Sequence, residues 1–244
     1  MIYGNHLSDT RFFADSSFNF AENLLTSGSD DDPALLFRGE NGRTADLSWA
    51  ELRVLVTRLQ GALRDAGVTS GDRIAAWLPN VPETYAVMLA AVSLGAVFSS
   101  TSPDFGVGGV VDRFGQIKPV VLFATDCYHY AGKRIDLTSR LVEVAERLPT
   151  VRRVVLVPEA DEGTVRGPIP EQAVTLDEFL ADQPVGQPEF VPLPFDHPLY
   201  ILYSSGTTGT PKCIIHRAGG ILLKHLTEHR LHCDLRPSDR MFYF

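Results

Sequence analysis

One short stretch of the chain, residues 203–212, combines several hydroxyl side chains, two glycines and a single lysine. It reads YSSGTTGTPK, and the apolar segment 199–203 that leads into it is typical of a buried strand. A small-residue loop at the end of a strand can present its backbone N–H groups to a phosphate. Gly206 and Gly209 lack a Cβ and would let the backbone approach that phosphate closely. The stretch therefore predicts a phosphate-binding loop.

The side chains of the same loop favour this interpretation. Its hydroxyls would add hydrogen-bond donors, and its lysine would supply the positive charge that a polyphosphate requires. The predicted phosphate-binding residues are Ser204, Ser205, Gly206, Thr207, Thr208, Gly209 and Lys212. The Walker A pattern, G-x-x-x-x-G-K-[ST], cannot be fitted to 206–212, so this is a different kind of phosphate loop. A flexible surface linker is the ordinary alternative for such a composition.

A mostly parallel β-sheet flanked by helices is predicted as the scaffold of this loop. Short apolar segments around Ile74, Val97, Val121 and Val154 alternate with segments of helical periodicity. Continuously apolar strands that alternate with helices are typical of a parallel sheet that is covered on both faces. The predicted fold class is therefore α/β.

Helix-start signals and the 3.6-residue apolar period predict where the helices lie. Ser48 and Glu51 form an S-x-x-E capping-box pattern before a helix over about 49–66. Further helices are predicted over about 83–94, 107–117, 137–148, 176–181 and 221–233. The last four residues, 241–244, are apolar and aromatic, and they are predicted to form a buried strand.

Composition argues against several classes of partner. The net charge is −8, whereas a nucleic-acid or anionic-membrane surface requires a basic patch. The three cysteines, Cys127, Cys213 and Cys233, fit neither a paired disulfide scheme nor a metal-ligand spacing. No apolar run reaches membrane length, and the N-terminus lacks the pattern of a signal peptide. We therefore expect no nucleic-acid or membrane partner, and a cytoplasmic location.

Four histidines follow the loop in the sequence. His216 could touch a substrate or be a core histidine, and the core position is favoured. His225, His229 and His232 have nearly helical spacing, but no carboxylate or cysteine completes a persuasive ligand set. We expect these three to form a helix surface, and we assign no residue to a metal site.

The loop also resembles a known signature. The pattern S-S-G-T-T-G-x-P-K after an apolar strand resembles the phosphate loop of adenylate-forming enzymes, a superfamily of acyl-CoA synthetases, luciferases and peptide-synthetase adenylation domains. The resemblance extends over nearly all of the chain and includes the helix that begins SWAEL. The segments FNFAENLL, AGKRIDL and PKCIIHRAGGILLKHLTEHRLHCDL resemble the acetoacetyl-CoA synthetase branch, and the acetyl- and propionyl-CoA synthetases come second. Cys213 stands where most of the superfamily has glycine, which is compatible with that branch.

This resemblance implies a two-step reaction. The carboxylate of acetoacetate would attack the α-phosphate of Mg-ATP, and the thiol of CoA would then displace AMP to give acetoacetyl-CoA. ATP, Mg2+ and CoA are the implied cofactors and substrates, and the reaction would belong to ketone-body and lipid metabolism. Residues 205–209 would bind the β- and γ-phosphates. Lys212, the implied catalytic residue, would hold a phosphate or order the loop electrostatically.

The resemblance also implies a CoA site. The segment SSTSP at 99–103, which includes Ser100, corresponds to one that lines the pantetheine path. The segment YAGK at 130–133 corresponds to one that meets the nucleotide phosphate of CoA. Lys133 keeps the charge there, with Arg134 beside it, but Tyr130 replaces the first arginine of the pattern. The same residues also fit a purely structural role, because a Lys-Arg pair often begins a solvated helix and serines often end a strand.

The resemblance finally implies a division of the chain. Residues 1–244 would form part of an N-terminal AMP-binding domain, with the C-terminal domain absent. We expect an N-terminal segment (1–46), an α/β unit (47–157), a proline-rich connection (158–198), and the phosphate loop with the start of a second α/β unit (199–244). We expect the complete enzyme to be a ligase and this chain alone to be inactive. The alternatives are a non-catalytic nucleotide- or CoA-binding module, a degenerate structural module, and an acetyl- or propionyl-CoA synthetase relative.

Overall fold

The computed structural model describes residues 6, 10–159, 165, 167–205 and 209–242. Helices and strands alternate around a seven-stranded sheet. The helices are α1 (Phe20–Leu25), α2 (Trp49–Asp65), α3 (Pro82–Ser93), α4 (Val107–Ile117), α5 (Thr138–Glu146), α6 (Leu176–Leu180) and α7 (Ala218–Thr227). The strands are β1 (Ser17–Phe18), β2 (Pro33–Arg38), β3 (Thr44–Ser48), β4 (Arg73–Trp77), β5 (Val97–Thr101), β6 (Val121–Ala124), β7 (Cys127–Tyr130), β8 (Lys133–Asp136), β9 (Arg153–Leu156), β10 (Ala173–Thr175), β11 (Leu193–Pro194), β12 (Pro198–Ser204) and β13 (Lys212–Arg217).

The large sheet is mostly parallel. Its strand order is β10-β9-β6-β4-β5-β12-β13, and the first six strands run parallel to one another. β13 pairs antiparallel with β12 at the edge. The strands near Ile74, Val97, Val121 and Val154 are therefore parallel members of one sheet, as the sequence predicts. The α/β fold class is confirmed.

Helices cover both faces of this sheet because its central strands are apolar on both sides. Phe123 of β6 lies in the core that α1, α2 and α3 share. Trp77 of β4 lies in the opposite core, with Phe114 of α4 and Leu141 of α5. All four side chains are fully buried. Burying one such side chain contributes about 1.5–3 kcal/mol, so these two layers hold the sheet rigid.

The start of α2 confirms the capping-box prediction. The Ser48 hydroxyl accepts from the backbone N–H of Glu51 at 3.2 Å, and the Glu51 carboxylate accepts from the backbone N–H of Ser48 at 2.8 Å. These bonds satisfy two of the backbone donors that every helix start leaves open. The helix ends at Asp65, and Gly67 follows with φ +74°. Glycine is favoured there because other residues rarely adopt a positive φ.

Sequence reasoning missed two antiparallel hairpins, β2–β3 and β7–β8. The second turns at Ala131 and Gly132, which both have positive φ, as the tightest hairpin turns require. Lys133 and Arg134 therefore lie in a strand, and the alternative that they begin a helix is wrong. The helix predicted after them is shorter than expected and spans Thr138–Glu146.

The proline-rich segment 158–198 is not only a connection, because it also contributes a helix and a strand to the domain. Its predicted short helix is confirmed as α6, but the segment also supplies β10, the outer strand of the large sheet. Leu180 and Leu193 are buried in the core. The apolar residues of this segment pack it against the core of the domain.

The end of the chain differs from the prediction. The expected 221–233 helix begins earlier, ends as α7 at Thr227, and continues as a π-helical turn over Glu228–His232. Met241 and Phe242 are 66% and 85% exposed and lie outside any strand, so the predicted buried strand is wrong for them. Among the described residues no neighbouring strand pairs with them, and a strand requires such pairing. Residues 243 and 244 lie outside the described part. Within that part, no helix has the length and apolar character needed to cross a membrane.

Candidate phosphate-binding site

The predicted phosphate loop connects β12 to β13 at one edge of the large sheet. β12 runs parallel to β5, with Tyr200 opposite Phe98. Its last residue, Ser204, pairs with Lys212, the first residue of β13. The loop therefore begins at the carboxyl end of a parallel strand. Open parallel sheets bind ligands outside the carboxyl ends of their strands, so the loop lies where a nucleotide site is expected.

The described loop residues present small groups and one cation to solvent. Ser204 is half-buried, whereas Ser205, Gly209 and Lys212 are exposed. Gly209 has φ +111° and open space around it, so the backbone conformation and not packing requires glycine there. No carboxylate of the described residues forms an ion pair with Lys212, which leaves its charge available to an anion. Three predicted residues lie outside the described part: Gly206, Thr207 and Thr208.

Tyr203, the residue before the half-buried Ser204, is anchored to the neighbouring strand. Its hydroxyl lies 2.9 Å from that of Ser99 in β5, and the Ser99 hydroxyl donates to the Ile201 carbonyl at 2.8 Å. Ser99 is fully buried. Burial raises the pKa of Tyr203 to about 12, so this hydroxyl is neutral at ordinary pH and can donate. Sequence reasoning assigned Tyr203 no role, because an aromatic residue at a strand end is a weak signal.

Ser100, predicted for the CoA site, lies on the same edge of the sheet as the loop. It is half-buried near the end of β5 and is aligned with Ala76 of β4. Because β5 and β12 are parallel neighbours, their carboxyl ends meet at one edge. The structure therefore brings Ser100 and Ser204 to adjacent strand ends.

Lys133 and Arg134 lie farther from the loop. Their hairpin follows β6, and β4 and β5 separate β6 from β12, a distance of roughly 14 Å across the sheet. Lys133 is exposed. The Arg134 guanidinium lies 3.3 Å from the Asp126 carboxylate and 3.4 Å from that of Asp136. The structure thus leaves the lysine open to a ligand and places the arginine between two carboxylates.

A buried carboxylate, that of Asp126, contacts this hairpin through Arg134. Asp126, just after β6, is fully buried and accepts from the backbone N–H of Glu159 at 3.0 Å as well as from Arg134. Beside it, burial and, to a smaller extent, the Asp126 charge raise the pKa of the Cys127 thiol to about 11. A thiol with such a pKa is a poor nucleophile, so Cys127 is structural. Sequence reasoning missed this group because its members are far apart in the chain.

A second ion group joins the β2–β3 hairpin to the same sheet edge. Arg43 lies 2.5 Å from Glu83 at the start of α3 and 3.6 Å from Glu159 after β9. Asn41 donates to Glu159 at 3.3 Å. These polar contacts are largely buried and hold the hairpin tip over the carboxyl ends of β4 and β9.

The histidines form no metal centre within the described ranges. The rings of His225 and His229 stack at 5.9 Å, and His232 lies 2.7 Å from Glu228. Burial lowers the pKa of His225, and the charges of His229 and His216 lower it further. His216 is half-buried, so the core position predicted for it is wrong. No group of three or more His, Cys, Asp or Glu side chains in this part of the chain could hold a metal ion.

Comparisons with known proteins agree with this geometry. The acetoacetyl-coenzyme A synthetase of Rhizobium meliloti (strain 1021) is 53% identical over 247 residues, which cover 100% of this chain and 37% of the relative. Malonamoyl-CoA synthetase vrtB of Penicillium aethiopicum is 39% identical, over 95% of this chain and 34% of the relative. The solved structure of acetoacetyl-CoA synthetase from Streptomyces lividans matches with a TM-score of 0.85 at 43% identity, over 92% of this chain and 34% of that one.

These relatives are longer proteins, and the chain spans about a third of the length of the curated relatives it matches. A family model described as AMP-binding enzyme matches residues 25–244. That match includes the large sheet, the hairpins and the predicted phosphate loop. The chain belongs to the AMP-binding enzyme family.

Proposed function

We propose that this chain is the part of an acetoacetate–CoA ligase that binds the phosphates of ATP. One observation carries the proposal: a hydroxyl- and glycine-rich loop ends a parallel strand in a chain that is 53% identical to an acetoacetyl-coenzyme A synthetase. The exposed Lys212 beside this loop supports it, because the net charge of −8 would otherwise repel a polyphosphate.

In the proposed first half-reaction, the carboxylate of acetoacetate attacks the α-phosphorus of Mg-ATP. An acyl adenylate forms, and pyrophosphate leaves. The loop holds the β- and γ-phosphates, with donors from its backbone and from Ser204 and Ser205, while Lys212 offsets the charge that develops on the leaving group. Since the described residues contain no cluster that fits a metal ion, we assign none of them to Mg2+ and treat it as part of the substrate Mg-ATP.

In the proposed second half-reaction, the sulfur of CoA attacks the acyl carbon, the thiol proton is released, and AMP leaves. Ser100 and Lys133 are the residues we place on the CoA side. Lys133 suits an anionic nucleotide because it is exposed near the tip of the β7–β8 hairpin. Arg134 suits it less, because it already contacts two carboxylates.

The acid in this proposal is acetoacetate, which carries a carbonyl group on its third carbon. The two relatives are named for acetoacetyl and malonamoyl products, and malonamate also carries a carbonyl group at that position. Recognition of this carbonyl would separate both acids from acetate and propionate. A pocket that hydrogen-bonds a polar group rejects analogues that lack it, because its own donor is then left unpaired.

We also place the protein in the cytoplasm, with small molecules rather than nucleic acid or membrane as its partners. The three cysteines are free thiols, which supports a reducing compartment. The acidic net charge supports the absence of a nucleic-acid surface.

The test is a chimaera in which residues 1–244 replace the matching segment of the Rhizobium meliloti relative. ATP–pyrophosphate exchange and thioester formation are measured with acetoacetate, malonamate, acetate and propionate, and the unmodified relative is the control. We expect exchange and acetoacetyl-CoA formation with acetoacetate as the best acid. A folded chimaera that prefers acetate or propionate would refute the proposed acid, and one without exchange would refute the ligase.

A further inference from the structure

The exit of the predicted phosphate loop, the point where it joins β13, has few packing contacts with the sheet. β13 is an edge strand whose only neighbour among the described residues is β12. Its side chains are mostly exposed, including Ile214 at 44% and Ile215 at 59%. An edge strand with little packing opens easily, so the residue that begins it, Lys212, requires another attachment if its position is to be defined.

Helix α4 supplies that attachment through one side chain, Gln116. Its amide nitrogen donates to the carbonyl of Pro211, the residue just before β13, at 2.9 Å. Its amide oxygen accepts from the Cys213 thiol, with a sulfur–oxygen distance of 3.6 Å. The two contacts lie on either side of Lys212. One carboxamide therefore brackets the lysine that ends the loop.

The same helix contacts the entry of the loop. The ring of Tyr203 lies 6.4 Å from that of Phe114, and the guanidinium of Arg113 lies 5.9 Å from the Tyr203 ring. Arg113 also lies 3.9 Å from the ring centroid of Phe105, in the segment after β5. Both ends of the loop are thus connected to α4, whose Phe114 is fully buried in the core.

We propose that Gln116 is a positioning residue that fixes the exit of the loop to α4 and thereby sets the place of Lys212. This inference rests on the proposed function for its purpose, since a loop held in place before binding loses less conformational freedom when a polyphosphate arrives. Gln116 touches no reacting group in this arrangement. It acts through Pro211 and Lys212.

A purely local role for Gln116 is the competing explanation. Its amide nitrogen also lies 2.6 Å from the carbonyl of Asp112 one turn earlier, and the side chain is exposed. In that case the contact with Pro211 would contribute nothing to the loop. The two explanations differ in what happens to the loop when the carboxamide is removed.

The experiment uses the 244-residue chain with Gln116→Met, which keeps the length of the side chain and removes both hydrogen bonds to the loop. Amide hydrogen exchange is followed at Gly209, Thr210 and Lys212. Gln183→Met is the control, since Gln183 is a half-buried glutamine outside the loop and donates to Asp65 at 2.7 Å. We expect faster exchange at these three amides in Gln116→Met only, with an unchanged melting temperature. Cys213→Ala, which removes only the thiol donor, should give a smaller increase.

Binding of inorganic triphosphate to the same proteins separates this inference from the proposed function. We expect Gln116→Met to bind triphosphate about two- to tenfold more weakly than the parent, the effect of one neutral hydrogen bond. Equal exchange in Gln116→Met and Gln183→Met would overturn the positioning role, whatever the binding result. A parent chain that binds no triphosphate would instead count against the proposed function, and the exchange data would still decide the role of Gln116.

Discussion

The large sheet has two sides along its strand order, one formed by β6 and β9 and the other by β12 and β13, and they are built differently. In β6 every side chain is buried, and in β9 only the first, Arg153, is exposed. In β13 no side chain is fully buried, and β12 is buried only at Leu199 and Ile201. The first side is held by apolar packing between helices, whereas the second is held by strand pairing and a few polar contacts. The predicted phosphate loop belongs to the second side.

This difference indicates how stability and the candidate site are divided. Residues near β6 determine whether the domain folds, because each removes much apolar surface from water. Residues near the loop contribute little to folding, so their polar groups remain available for a ligand. Parts of a protein that bind ligands are commonly drawn from its less stable regions. Substitutions on the two sides should therefore separate stability from binding.

The largest expected effect is on folding. Phe123→Ala in β6 should lower the free energy of unfolding by about 3–5 kcal/mol, because a fully buried ring is replaced by a cavity. Its ring also meets Phe179 edge-to-face at 5.9 Å. Ile215→Ala in β13, at a site that is 59% exposed, should cost about 0.5 kcal/mol or less. Urea denaturation of both variants checks this, and similar losses would contradict the division between the two sides.

The second expected effect is a slower reaction with unchanged stability. In the chimaera, Lys212→Ala should slow ATP–pyrophosphate exchange roughly ten- to hundredfold, since a charge-assisted hydrogen bond is worth about 1.5–3 kcal/mol. The melting temperature should hardly change, because Lys212 is exposed.

Lys133→Ala is the matched control, since it removes another exposed lysine, from the β7–β8 hairpin. It should spare exchange and slow only thioester formation, because we place it on the CoA side. Exchange at the parent rate in a folded Lys212→Ala chimaera would show that this lysine plays no part in the first half-reaction.

A smaller effect is expected where the two sides meet, at the pair formed by Ser99 and Tyr203. Tyr203→Phe keeps the ring against α4 and removes only the hydroxyl, so it should cost about 0.5–1.5 kcal/mol of stability. Tyr85→Phe is the control, since that hydroxyl bonds Asn80 at 2.8 Å on the surface. A loss no larger than that of Tyr85→Phe would mean that Ser99 does not anchor the loop entry.

The packed side of the molecule was the more predictable from sequence. Continuous apolar runs identified β4, β5, β6 and β9, and the pair of Ser48 and Glu51 located the start of α2 within one residue. These signals are local and repeat over many residues. The hairpins were missed because their strands are partly exposed rather than buried. Met241 and Phe242 were misjudged because apolar character alone does not ensure a neighbour to pack against.

The candidate site was predictable only in part. The composition of the loop and its resemblance to a known signature gave its position, which is where β12 ends. Its supports could not be found in the same way. Gln116 lies 95 residues from Pro211, and Asp126 lies 33 residues from Glu159. Such contacts depend on strand order, which the sequence pattern did not specify.

The smallest expected effect is on the pH dependence of stability, through a histidine of α7. The pKa of His225 on α7 is lowered, first by burial and then by the charges of His229 and His216. The folded chain therefore binds this proton less tightly than the unfolded chain. Stability should fall as the pH drops below the ordinary histidine value of about 6.5, until the folded pKa is passed. His225→Gln should flatten this fall between about pH 7.5 and pH 5.5, and the control His6→Gln, at an exposed position, should not. Urea denaturation at both pH values measures the difference, and an equally steep fall in His225→Gln would place the titrating group elsewhere.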